Sequence, residues 1–123
     1  MIALLLAAAV PTMAGDWLTE DRSALVRIGP CGQGWCGRIV RVLNPAAPPN
    51  DARNPDRALR NRPLIGVPVL SGFGPDGQGT GQAYDPKSGR SYRAYLRLDP
   101  EGTLRVTGCL AIICRSQHWS RPR

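Results

Sequence analysis

Ser91-Tyr92-Arg93-Ala94-Tyr95-Leu96-Arg97-Leu98 alternates without a break. Tyr92, Ala94, Leu96 and Leu98 fall on one face and Ser91, Arg93, Tyr95 and Arg97 on the other, the period of two that a half-buried antiparallel strand requires. Downstream, Asp99-Pro100-Glu101-Gly102 is turn chemistry leading into residues 103–109, where Leu104 and Val106 share one face and Thr103, Arg105 and Thr107 the other. Upstream, Asp85-Pro86-Lys87-Ser88-Gly89 is a hairpin turn with glycine placed for positive φ, reached from a strand over residues 80–84. Further strands are predicted over residues 114–120, 67–70, 37–43, 24–28 and 17–19. Eight short strands joined by turns predict an all-β chain, a small eight-stranded antiparallel up-and-down barrel, with an open sandwich as the alternative. A barrel of this size holds packed side chains or one small ligand.

Some stretches depart from this rhythm. In residues 54–66, Asn54 suits an N-cap, Pro55 suits the first helical position and Asp56 complements a helix dipole, so residues 55–60 are expected to form one short helix between strands. Pro63 stops it, and contacts through Leu59 and Leu64 are needed to hold so short a helix. Pro68 belongs on an edge or at a bulge. Arg38 and Arg41 fall on opposite faces of one strand, which predicts that one of them turns inward or sits at a rim. Gly72-Phe73-Gly74-Pro75-Asp76-Gly77 fits G-x-G-x-x-G in letters only, because Pro-Asp-Gly is a turn and no helix pattern follows. Leu110-Ala111-Ile112-Ile113 is an apolar hairpin tip, more readily tucked under a neighbour than presented to a membrane or partner.

The 123 residues amount to one domain. Residues 2–10 are uninterruptedly apolar and lead into Pro11-Thr12-Met13-Ala14, so residues 1–14 are expected to be a signal peptide and residues 15–123 the folded domain, exported to the periplasm or beyond the cell. The run is too short for a transmembrane segment. The four cysteines fit that compartment. Of three possible pairings, the repeated spacing favours the disulfides Cys31–Cys36 and Cys109–Cys114, each closing a hairpin end; zinc ligands are more closely spaced.

The formal net charge is +7, and of sixteen Lys and Arg residues only Lys87 is not arginine. Arginine recognises carboxylate and phosphate through paired hydrogen bonds, although a GC-rich coding bias yields the same composition. No catalytic constellation stands out: His118 is the only histidine, and Glu20 and Asp21 are neighbours that a turn points apart. The expectation is therefore no enzyme, no metal and no cofactor. The candidate ligand contacts are Arg60 and Arg62, which with Asp56 either bind an anionic head group or simply anchor the helix, together with the aromatics Trp17, Tyr84, Tyr92 and Trp119. The expected partner is a small, partly apolar molecule or lipid. The alternative is an anionic envelope component met by Arg93, Arg97 and Arg105 on the outer strand face, and nucleic acid is not expected.

Asn54-Pro55-Asp56, Leu59-Arg60, Arg62-Pro63-Leu64 and Gly66 resemble the signature of a secreted bacterial family of unknown function, DUF2147. Trp17-Leu18-Thr19-Glu20-Asp21, Cys36-Gly37-Arg38-Ile39-Val40, Tyr84-Asp85-Pro86 with Ser88-Gly89 and Tyr92, and Arg115-Ser116-Gln117 with Trp119 and Arg121 extend the likeness in order and spacing. The resemblance implies a lipocalin-like barrel. Gly15-Asp16-Trp17 is similar to the Gly-x-Trp opening of that superfamily, which implies that Trp17 plugs the closed end and that Arg115 or Arg121 packs on it.

Overall fold

The computed structural model describes residues 12–123. Most of the expected signal peptide, residues 1–11, lies outside the described residues. The eight strands are β1 (Gly15–Leu18), β2 (Ala24–Cys31), β3 (Gly34–Val42), β4 (Pro68–Phe73), β5 (Thr80–Asp85), β6 (Arg90–Leu98), β7 (Leu104–Leu110) and β8 (Ile113–Trp119). They form one antiparallel sheet in sequence order, each strand bonded to the next. The sheet curls until Leu18 and Ser120 exchange backbone hydrogen bonds of 2.7 and 3.0 Å. One step on, the Glu20 carboxylate accepts from the His118 N–H at 2.6 Å. Beyond that point β8 has no partner on its outer edge among the described residues, so the sheet is a curled half-barrel, pinned shut near one end and parted at the other.

The core follows from the alternation. Val26, Ile28, Ile39, Leu70, Phe73, Ala94, Leu104 and Val106 point into the curl with Trp17 and Trp119, and β6 places Leu96 and Leu98 beside them. Arg38 and Arg41 are both exposed, contrary to the expectation for a regular strand. The cause is a bulge: Leu25 pairs with Arg41 while Val26 pairs with Ile39, leaving Val40 extra on β3. One inserted residue shifts the facing of everything after it, so both arginines reach solvent. Pro68, which has no N–H to give, pairs with Arg38 at another register shift, as its chemistry demands.

Both disulfides take the expected pairing, Cys31–Cys36 with Cα atoms 5.9 Å apart and Cys109–Cys114 at 4.1 Å. The helix expected over residues 55–60 is only a 3₁₀ turn, Arg57–Leu59. Its N-cap is Asp56, whose carboxylate accepts from Ala58 N–H at 3.0 Å. Asn54 is not free to cap, because its carbonyl oxygen takes the Asp56 N–H and its amide donates to Asp51. Leu64 is buried as expected, whereas Leu59 stays exposed. The hairpin tip expected to tuck under a neighbour instead projects, with Ile112 95% exposed.

Candidate functional site

In an up-and-down sheet the turns alternate between two ends, so the β1–β2 turn, the long β3–β4 connection, the β5–β6 turn and the β7–β8 tip share one rim. Inside that rim lies a cavity of about 530 Å³. Its walls are Ala24, Val26, Ile39, Val69, Leu70, Ala83 and Val106, with Tyr84, Tyr92 and Trp119 as the aromatic surface. Polar groups line the cavity at its rim and parted side: Arg90 and Asp85 beside the β5–β6 turn, Thr19 after β1, and Arg115 and Gln117 on the uncovered β8. The alternation of β8 puts Ile113, Arg115, Gln117 and Trp119 on the cavity side, and all but Trp119 are exposed because no strand covers them. Asp85 is occupied by its own turn, its carboxylate accepting from the Lys87 N–H and Ser88 hydroxyl at 3.0 Å each. Arg90 and Arg115 have no carboxylate partner among the described residues.

The candidate contacts therefore divide. Tyr84, Tyr92 and Trp119 line the cavity, while Arg60, Arg62 and Trp17 do not. Arg62 is bound to Asp51, a fully buried carboxylate, through Nε at 3.0 Å and Nη2 at 2.9 Å. The same carboxylate accepts from Asn54 at 2.9 Å and from the Tyr84 hydroxyl at 2.6 Å. Arg60 donates to the Asn54 carbonyl at 2.7 Å. The β3–β4 connection is thus wound around Asp51, and Tyr84 joins it to the cavity wall. Burial by itself raises the Asp51 carboxyl, but the hydrogen bonds from Tyr84, Asn54 and Arg62 and the Arg62 charge outweigh it and hold Asp51 below the usual carboxylate range. Burial and the Asp51 charge push Tyr84 up to about 12.

The rim is tied at further points. Arg53 donates to the Lys87 carbonyl, bringing the β3–β4 connection onto the β5–β6 turn. Gly89, at φ +72°, makes that approach possible, since a Cβ there would lie 2.0 Å from the Arg53 oxygen. Lys87 is also ion-paired with Asp21 in the β1–β2 turn, four strands away around the rim. At the opposite end Trp17 is fully buried and closes the fold, its indole N–H donating to the Met13 carbonyl at 2.8 Å. Arg121, not Arg115, stacks on it at 3.8 Å and donates to the carbonyls of Asp16, Thr12 and Ala14.

Asp51 was missed by sequence reasoning although it adjoins the singled-out stretch. A signal existed: an acid followed at three residues by Asn and at eleven by Arg, among prolines, is the composition of a loop folded on its own polar side chains. Asp99 escaped in the same way. It is buried in the β6–β7 turn and paired with Arg105 at 3.2 Å, with His118 at 3.8 Å. Among the described residues no three His, Cys, Asp or Glu side chains converge as metal ligands would, and no helix is long and apolar enough to cross a membrane.

A solved protein, HP1028 from Helicobacter pylori, described as belonging to the lipocalin family, has the same fold with a TM-score of 0.77 over 93% of this chain and 85% of its own, at 20% identity. No curated protein matches the chain. The likeness to HP1028 shows the architecture alone; residues 15–121, nearly all of the described chain, match the family described as an uncharacterized protein conserved in bacteria, DUF2147, and the chain belongs to that family.

Proposed function

We propose that this protein is an exported binding module for a small, partly apolar ligand carrying an acidic group, and that it carries out no catalysis. The observation that carries the reading is the cavity: about 530 Å³ with aliphatic and aromatic walls and, at its open side, Arg90 and Arg115 without ion-pair partners among the described residues. That volume falls in the range of small-molecule sites, and a mostly apolar lining with a few placed charges is how such sites orient a ligand. An acid group would sit by the two arginines, with its apolar body against Tyr92, Val106 and Trp119. Of the two roles open to Arg60 and Arg62, anchoring accounts for both, because they are committed to the loop, and the head-group role falls to Arg90 and Arg115. Two disulfides support export, since such bonds persist in oxidising compartments.

Native mass spectrometry of protein isolated from its own compartment tests the reading. The expected result is a bound small molecule whose affinity falls about tenfold or more in Arg115→Ala, the loss of one charge-assisted contact. Protein that arrives empty and takes up neither acidic nor neutral amphiphiles would overturn it.

A further inference from the structure

The β7–β8 tip calls for its own account. Leu110, Ile112 and Ile113 are 58, 95 and 67% exposed, so three of the six exposed large hydrophobic side chains among the described residues crowd into one turn. The turn's local chemistry is wrong for a solvated hairpin. Ala111 has φ +53°, a conformation that glycine or asparagine adopts more cheaply, and the next corner carries isoleucine where polar residues are usual. Violations of local preference without a packing reason mark functional positions. Directly behind the tip the Cys109–Cys114 disulfide fastens the two strands, so the apolar side chains stand on a fixed base. Arg93, opposite Cys109 on β6, and Arg115, opposite Gly108 on β7, flank that base, and neither is ion-paired among the described residues.

A projecting aliphatic tip with no hydrogen-bonding side chain, cations one step behind it and a net charge of +7 matches a surface with an anionic outer layer and a hydrocarbon interior. We propose that the β7–β8 tip docks the protein on an anionic phospholipid bilayer, Leu110, Ile112 and Ile113 entering the acyl boundary while Arg93 and Arg115 lie at the level of the phosphates. Leu110, Ile113 and Arg115 also border the cavity mouth, so docking would turn the open rim toward the bilayer, whereas Ile112 at the apex belongs to the docking surface alone.

Flotation of the full chain with phosphatidylglycerol vesicles and with phosphatidylcholine vesicles is the test. Wild-type protein is expected to float with the former and far less with the latter. Ile112→Asp is expected to lower partitioning onto phosphatidylglycerol about tenfold or more without changing the melting temperature, the side chain being free of contacts that hold the fold. Ile112→Trp is expected to bind like wild type and to add a blue-shifted emission on those vesicles. The proposal is overturned by wild-type protein that stays unbound, by equal binding to both lipids, or by Ile112→Asp binding as wild type does, which would leave the arginines alone responsible. Sedimentation showing a dimer that Ile112→Asp disperses would also overturn it, since a second copy would then cover the tip.

Discussion

Removing the Asp51 carboxylate would strand the Arg62 guanidinium and the Tyr84 hydroxyl beside a buried loop. Asp51→Ala is expected to cost about 3 kcal/mol of folding stability, measured by chemical denaturation. The pH dependence has two limbs. Asp51 is depressed in the folded protein, so its stabilisation is present above the unfolded carboxylate value of 3.8 and is lost as pH falls through the lower folded value. Tyr84 is raised from 10.0 to about 12, so its contribution is intact below 10 and disappears as pH rises toward 12. Thermal melts of Tyr84→Phe should lack that alkaline decline while starting from a lower stability, the phenol–carboxylate bond being gone. At this scale the sequence is least explicit. The capping residues around Arg60 and Arg62 favour anchors over ligand contacts, but their partner Asp51 is not named by the sequence, and a contact between residues 51 and 84 leaves no periodic trace in the chain.

Each strand announces itself according to how strictly it alternates. β6 does so without a fault and its facing was legible residue by residue; β3 does not, because the bulge at Val40 resets its phase. The 3₁₀ turn Arg57–Leu59 shows the other limit, since Asn54-Pro55-Asp56 has helix-opening chemistry that the tertiary hydrogen bonds of Asn54 redirect into a loop. The β7–β8 hairpin rests on Cys109–Cys114 more than on its turn. Replacing both cysteines by serine is expected to lower stability by roughly 2 kcal/mol by loop-entropy reasoning. Amide exchange should then quicken at Leu110 and Ile113 first, because the remaining Ala111-Ile112 turn favours the open form.

For the whole molecule, strand number, order and inward faces were written in the alternation and the turn residues, and these sufficed for the curled sheet. The half-open closure was not, because it depends on β1 being only four residues long while β8 has seven, so that one edge runs past the other. The parted side exposes Arg115 and Gln117 and gives the cavity its charged rim. The two ends of the described residues meet at the opposite side, where the Arg121 guanidinium holds Trp17 and the carbonyls of Thr12 and Ala14. That clasp gives proteolytic processing a thermodynamic sign. Cutting after Ala14 would remove three backbone acceptors, those of Thr12 and Ala14 for Arg121 and that of Met13 for Trp17, and would leave the new ammonium of Gly15 beside the same guanidinium. A protein beginning at Gly15 should therefore melt below one that retains Thr12, and the gap should narrow above pH 8 as the new terminus loses its proton. Maturation would thus set the tightness of the plug as well as the place where the chain begins.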